Sequence, residues 1–328
     1  MIISRTPFRI SFFGGGTDFP SFFRRHGGAV LSATINKYCY ISIHRLTPFF
    51  RHRFRASYSR TESVLTPSEF QHPLIRETLL LLEQQEGIEI SHVADLPGQT
   101  GLGSSSAFTV GLLNALHAFR HQAASPRRLA EEAIQVERER VGDLGGWQDQ
   151  VAVAFGGFNR IQFGSDDTVD VRPMTLPPGT LSRLADSLLL VYLGAESSAE
   201  AILREQVART AENTDQLFAM RRMVENAATL LEDGGNLDAF GRLLHESWQA
   251  KKSLSAGISN SAIDQAYDAA RQAGALGGKL LGAGGRGFLC LYVPPGHREA
   301  VRTRLQPLQE VTFRFCSEGS GIIFKSDE

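Results

Sequence analysis

Read for the spacing of hydrophobic and polar positions, residues 1–60 predict strands and turns rather than helices. Ile10-Ser11-Phe12-Phe13 is an apolar strand running into Gly14-Gly15-Gly16-Thr17-Asp18, and Ala29-Val30-Leu31 follows a Gly27-Gly28 turn. Residues 38–44 (YCYISIH) are dense in β-branched and aromatic side chains and read as a further strand. The period then changes. Residues 74–85 repeat at helical spacing and residues 88–94 form a short strand. Beyond the segment 96–107, Phe108, Leu112, Ala115 and Phe119 mark a helix ending near Arg120. Ser125-Pro126 is a helix start with proline at the first helical position, and that helix is expected to reach Val141 and stop at Gly142.

A strand over 158–163 follows Gly156-Gly157, and the Pro-, Gly- and Asp-rich stretch 164–180 is the best boundary, dividing the chain into 1–175 and 176–328. In the second half the pattern predicts a strand over 188–193, a long helix over 199–232 and helices over 237–254 and 261–273. A strand over 288–293, a helix over 297–305 and two closing strands complete it. Strands and helices mix without strict alternation, which favours an α+β fold.

Composition narrows the function. Lys+Arg 34 against Asp+Glu 35 leaves a net charge of −1, which excludes nucleic-acid binding by bulk electrostatics. Hydrophobic residues at 42% and charged residues at 21% supply real cores and exclude a disordered chain. Cys39, Cys290 and Cys316 are scattered and build neither a disulfide framework nor a zinc site. No stretch approaches the ~20 apolar residues of a membrane span, so a soluble, cytoplasmic chain with no membrane partner is expected. Glycine is the outlier: 32 of 328 residues, against a usual ~7%, which sends attention to the glycine-rich loops. The run 45–60 holds five arginines and no acid, and reads either as a solvated edge strand or hairpin or as a patch for an anionic group.

The middle glycine segment carries the clearest chemistry. Leu96-Pro97-Gly98-Gln99-Thr100-Gly101-Leu102-Gly103-Ser104-Ser105-Ser106-Ala107 places glycines after a strand and serines at a helix start. Glycines let backbone amides approach an anion, and the helix N-terminus adds orphan donors and a positive dipole. Pro97, Gly98, Gly101, Leu102, Gly103, Ser104, Ser105 and Ser106 are therefore candidate phosphate-binding residues. The segment is not a Walker A loop, because no Gly-Lys-[Ser/Thr] follows. Nor is it a dinucleotide fingerprint, since Gly98, Gly101 and Gly103 have the wrong spacing.

PGQTGLGSSSA resembles the central motif of the GHMP kinases, named for galacto-, homoserine, mevalonate and phosphomevalonate kinases. Pro7-Phe8-Arg9-Ile10 with Gly14-Gly15-Gly16-Thr17-Asp18 is similar to that family's first motif. Lys279-Leu280-Leu281-Gly282-Ala283-Gly284-Gly285-Arg286-Gly287-Phe288 is similar to its third. The resemblance implies a two-lobed fold, with a ribosomal S5 domain 2-like N-terminal domain and a ferredoxin-like C-terminal domain. ATP and a sugar would meet between them, with Mg²⁺ as cofactor. In Gly145-Gly146-Trp147-Gln148-Asp149-Gln150 it makes Asp149 the base for the acceptor hydroxyl, with Arg9 as the cation of the first motif. It puts the metal on Ser105 and Glu137, with Ser104 and Ser106 as alternatives one register away. Without the motif, Glu137 in Glu137-Arg138-Glu139-Arg140 reads as a solvated helix face.

Gly15, Gly16, Thr17 and Asp18 would hold the sugar, Asp18 accepting from two neighbouring hydroxyls, with Gly284, Gly285 and Arg286 on the substrate side of the third loop. Two departures stand out. Gly15-Gly16 replace the acid and histidine of galactokinase-like members, which weighs against galactose, and Arg286 stands where the third motif has a glycine. The pattern looks most like the branch acting on the anomeric hydroxyl of a heptose 7-phosphate. It is also similar to the kinase half of bacterial fucokinase-type enzymes, and a non-catalytic sugar sensor is the rival of another class. A 7-phosphate requires cations outside the ATP cradle; the arginines of 45–60, Lys251 and Lys252 are the candidates, with His245 and Trp248 lining core or cleft. The partners implied are ATP and a small sugar phosphate, and the resemblance admits a homodimer.

Overall fold

The computed structural model describes residues 1–194 and 199–326. In chain order the first half contains β1 (Ile2–Phe13), α1 (Pro20–His26), β2 (Gly28–Arg45), β3 (Phe54–Ser57), β4 (Thr61–Val64), α2 (Pro73–Leu81), β5 (Ile88–Ala94), α3 (Ser104–Phe119), α4 (Pro126–Ile134), α5 (Gln148–Phe155), β6 (Phe158–Phe163) and β7 (Val169–Pro173). The second half adds α6 (Thr180–Asp186), β8 (Leu188–Tyr192), α7 (Ala199–Ala208), α8 (Thr214–Glu232), α9 (Leu237–Ser253), α10 (Ser261–Gln272), β9 (Gly277–Leu280), β10 (Phe288–Tyr292), α11 (Arg298–Leu305), β11 (Gln309–Glu310) and β12 (Gly321–Lys325).

The larger sheet is organised on β2. Residues 28–33 pair with β6, residues 39–45 pair with β5, and β1 runs antiparallel along the strand. β2 outruns the strand expected at 38–44 because the polar pair Asn36-Lys37 is absorbed where the β1–β2 register shifts between Pro7 and Phe8. The arginine-rich run becomes the β3–β4 hairpin at the sheet edge. The smaller sheet, β11-β8-β10-β9, is antiparallel throughout.

Two expected helices differ. The helix from Pro126 does not stay α-helical to Val141: after Ile134 it widens, and the Val141 amide bonds the Val136 carbonyl five residues back at 3.0 Å. The added residue per turn carries Glu137 into the core while Glu139 stays exposed. The long helix over 199–232 breaks into α7 and α8. Near the break the Thr210 hydroxyl bonds the carbonyls of Gln206 and Val207, and the Asn213 side-chain amide donates to the Leu254 carbonyl.

The lobes share one apolar core. Phe12 and Phe13 of β1 meet Phe240 of α9 with ring centroids 5.6 and 5.2 Å apart, and this cluster runs on to Phe288 and Tyr292 of β10. A second cluster fills the C-terminal lobe around Trp248, Tyr267 and Leu289. β12 returns to pair with β1, so the last strand belongs to the N-terminal sheet and not with the lobe in which a simple 176–328 division would put it. Among the described residues no helix is long and apolar enough to cross a membrane.

Candidate active site

Arg9 reaches the site from the middle of β1, where β-sheet pairing fixes its backbone and burial leaves it 3% exposed. Its guanidinium binds Asp149 with two parallel bonds, Nε to Oδ1 at 2.8 Å and Nη2 to Oδ2 at 2.7 Å. Such a fork fixes both partners in angle as well as distance. Nη1 donates to the Gly101 carbonyl at 2.6 Å, and the Arg9 amide donates to the Leu102 carbonyl at 3.0 Å. One residue therefore ties the acid to the middle glycine loop. Asp149 lies in the first turn of α5, at the positive end of the helix, and its side chain is 25% exposed. It is the open face of an otherwise closed pair.

The middle loop leads into α3, a helix of 16 residues whose first residue follows Gly103 at φ 74°, ψ 26°. No side chain caps that terminus, which leaves its first amides without a capping partner. Pro97, Gly98 and Ser105 are exposed, Gly101 and Ser104 half-buried, and Leu102, Gly103 and Ser106 buried. The Ser104 hydroxyl is taken up locally by the Gln99 amide at 3.1 Å.

Of the three serines, Ser106 is the one brought to Glu137. Its Oγ donates to Oε2 at 3.1 Å, and the Gln150 amide nitrogen donates to the same oxygen at 2.6 Å. Ser105, the serine first assigned to that carboxylate, faces outward, because α3 turns it away by about 100°. Glu137 is 1% exposed and not on a solvated helix face; its Oε1 is buried without a hydrogen-bond partner, and burial raises its pKa. A buried carboxylate with one idle oxygen beside a hydroxyl fits a divalent cation that takes its other ligands from phosphate oxygens. Among the described residues no group of three His, Cys, Asp or Glu side chains forms a cage, so any such ion would depend on the nucleotide for the rest of its shell. Arg138, next along the wide turn, grips the Gly146 carbonyl with Nε and Nη2 at 3.1 and 2.8 Å, which fixes the approach to Asp149.

The residues expected to meet a sugar are placed differently from that expectation. Asp18 is 1% exposed, and its two oxygens accept from the amides of Gly16 at 2.8 Å and Gln148 at 3.3 Å. Here it ties the 14–18 loop to the turn that leads into Asp149. Burial, and secondarily the charge of Asp149, push its pKa up. A Cβ at Gly146 would lie 1.9 Å from Asp18 Oδ2, so only glycine fits there. Thr17 is buried, its hydroxyl donating to Gly14 and Ala29 carbonyls; Gly16, Gly284 and Gly285 are buried as well, whereas Gly15 and Arg286 are accessible.

Two of the proposed phosphate-binding arginines are held in ion pairs toward the edge of the sheet. Arg45 pairs with Glu86 at 2.5 Å and Arg55 with Glu89 at 3.5 Å. Lys252 pairs with Asp264 at 2.5 Å, and His245 bonds the Tyr267 hydroxyl at 2.7 Å. Trp248 is fully buried core. Sequence reasoning missed the role of two cations that are at the site. Lys251 bonds the carbonyls of Leu280 and Gly282, and Lys279 bonds the Phe12 carbonyl at 3.0 Å; both are buried. The signal for Lys251 was there: Leu244, Trp248 and Lys251 fall at i, i+4 and i+7, which sets the lysine on the apolar stripe of its helix.

The class of protein follows from this arrangement together with its likenesses. Residues 73–157 match the N-terminal domain of the GHMP kinases and residues 223–307 match their C-terminal domain. The chain belongs to the GHMP kinase family and is an ATP-dependent sugar kinase of it. Among individual proteins, it is 28% identical over 97% of its length, and 97% of theirs, to the D-glycero-alpha-D-manno-heptose 7-phosphate kinase of Campylobacter jejuni. It is 30% identical over 66% of its length to the L-fucokinase/L-fucose-1-P guanylyltransferase of Bacteroides fragilis, of which it spans 23%. In structure it is similar to a D-glycero-D-manno-heptose 1-phosphate kinase from Bacteroides thetaiotaomicron, with TM-score 0.81, 25% identity and full coverage of both chains.

Proposed function

We propose that this kinase transfers the γ-phosphoryl group of ATP to the anomeric hydroxyl of D-glycero-D-manno-heptose 7-phosphate, giving the 1,7-bisphosphate for nucleotide-heptose and surface polysaccharide synthesis in the cytoplasm. The observation that carries it is the Arg9–Asp149 fork beside the middle glycine loop, in a chain similar end to end to a heptose 7-phosphate kinase. Asp149 accepts the proton of the acceptor hydroxyl as that oxygen forms its bond to phosphorus and the bond to the β-phosphate oxygen breaks. Arg9 holds Asp149 in line and offers positive charge where the transferred group is most anionic. The amides of Ser104, Ser105 and Ser106 receive the nucleotide phosphates at the α3 terminus. Glu137 with Ser106 would hold Mg²⁺, which when bound neutralises charge between the β- and γ-phosphates. Gly15 gives the sugar access to backbone, with Gly16 and Asp18 holding its loop in place. Gly284, Gly285 and Arg286 border the same space, and the exposed Arg286 is the cation that meets a phosphate there. The domain division we propose is 1–175 together with 321–325, and the remainder of the chain.

One structural relative is named for a heptose 1-phosphate and the Bacteroides fragilis relative for fucose, so the test must separate these acceptors. ADP release is measured with ATP and, in turn, heptose 7-phosphate, heptose 1-phosphate, the unphosphorylated heptose, fucose and galactose. The expected order puts heptose 7-phosphate first by at least about tenfold in kcat/KM. Asp149→Asn is expected to lower kcat by about 100-fold or more while leaving the nucleotide dissociation constant nearly unchanged. Fucose turning over fastest would move the reading to the other branch. An Asp149→Asn variant whose loss is confined to KM would remove Asp149 as the base.

A further inference from the structure

Lys251 is a buried cation that the chemistry above does not use. It sits on the inward face of α9, 6% exposed, and its ammonium donates to the carbonyls of Leu280, at 3.2 Å, and Gly282. Those carbonyls belong to β9 and to the third glycine loop, and that loop lies directly on the middle one. A Cβ at Gly101 would come within 2.4 Å of the Leu281 carbonyl, and a Cβ at Gly282 within 2.4 Å of the Gly101 Cα. The Phe288 amide donates to the Thr100 carbonyl at 3.2 Å. The Gly101 carbonyl is in turn the acceptor for Arg9 Nη1, and Arg9 holds Asp149 by its fork.

We propose that Lys251 is a positioning residue for phosphoryl transfer: it clamps the third glycine loop onto the middle loop and thereby seats Arg9 and Asp149. Two backbone carbonyls share its Nζ as donor, and that donor is anchored to a rigid helix. A neutral apolar side chain would leave both carbonyls without it and let the two loops separate. Burial pulls the Lys251 pKa well below the usual lysine range. Lys279 of β9 and Arg9 of β1 pull in the same direction, and Asp18 and Asp149 oppose them. The proposal rests on the kinase reading of this site but not on which sugar is bound.

Lys251→Met, Lys251→Gln, Lys251→Arg, Arg9→Lys and the Arg9→Lys/Lys251→Met double variant are assayed with whichever acceptor the wild type turns over fastest. Far-ultraviolet circular dichroism checks the fold of each. A loop displacement of the order of 1 Å costs about 100-fold, so Lys251→Met is expected to lose about that in kcat with the acceptor KM held within about threefold. Lys251→Gln carries the test if the methionine variant does not fold. Lys251→Arg is expected to recover about tenfold over Lys251→Met, since it restores a charged donor. Because Lys251 acts through Arg9, the double variant is expected to be no slower than Arg9→Lys alone by more than about threefold. Lys252→Met, whose partner is Asp264 on the surface, is expected at the wild-type rate.

A folded Lys251→Met or Lys251→Gln at the wild-type rate overturns the proposal, and so do losses that multiply in the double variant. If the wild type turns over no sugar, the substrate reading has failed. Lys251 is then judged by the dissociation constant of a fluorescent ADP analogue, expected about tenfold weaker in Lys251→Met; an unchanged constant overturns it.

Discussion

Asp149 and Glu137 are the two acids of the candidate site, and their surroundings differ. Asp149 is partly open and locked to Arg9; Glu137 is sealed in, with one oxygen idle. A buried carboxylate with nothing on one oxygen costs the apo protein stability and gains a cation's affinity in exchange. Glu137→Gln is therefore expected to raise the metal-free protein's stability by about 1 kcal/mol in urea denaturation, and to raise the Mg²⁺ concentration for half-maximal rate about tenfold. Loss of stability with unchanged Mg²⁺ dependence would count against that role. Lys279 offers a titration with a definite sign. Burial, then Arg9, pulls its pKa from 10.5 down to about 8. Between about pH 8 and 10.5 the unfolded chain holds a proton on this lysine that the folded protein has released, so stability rises with pH across that window. Relative to Lys279→Met, the wild type should gain up to about 3 kcal/mol over that range, read from urea midpoints at fixed ionic strength. A parallel pH profile for the two proteins would refute it.

At the scale of elements, the glycine excess is explained by loops that lie on one another. Gly101, at φ 83°, has the Leu281 carbonyl 2.4 Å from where a side chain would begin, with backbone on both sides that has no free rotamer to yield. Gly101→Ala is expected to cost about 3 kcal/mol and to lower kcat, because the strain falls on the residue whose own carbonyl accepts from Arg9 Nη1. A stability change under about 0.5 kcal/mol would show that the loops part without strain. The same scale shows what a sequence can and cannot tell. β5 and β6 were legible to their end residues, because dense β-branched and aromatic runs are bounded by turns. The start of α4 was legible from Ser125, whose hydroxyl accepts the Arg128 amide. α1 and α5, with 7 and 8 residues, are too short to display a helical period, and the glycine–aspartate segments before them mask the boundary. At the site, Asp149 and Arg9 were legible as a motif, whereas the choice among three adjacent serines was not. That choice is set by the rotation of α3 against a turn widened by one residue, a property of two packed elements and not of either sequence.

Over the whole molecule, the two family lobes are not independent bodies joined by a linker. Phe240 of the C-terminal lobe packs on Phe12 and Phe13 of the first strand, and β12 closes the N-terminal sheet from the other end of the chain. That shared core puts Lys251 and Lys279 of one lobe beside Arg9 and Asp149 of the other, so the candidate site exists only in the assembled chain. The near-zero net charge conceals this: three cations, Arg9, Lys251 and Lys279, meet at one buried junction, while Arg45 and Arg55 of the 45–60 run are matched by Glu86 and Glu89 toward the edge of the sheet. The central claim is transfer to the anomeric hydroxyl of a heptose 7-phosphate, and phosphorus NMR of the product tests it most directly. With ATP, Mg²⁺ and D-glycero-D-manno-heptose 7-phosphate, the account predicts a second phosphomonoester resonance coupled to the anomeric proton, growing in step with ADP. A new resonance coupled to any other ring proton, or ADP formed with no second sugar phosphate, would contradict it.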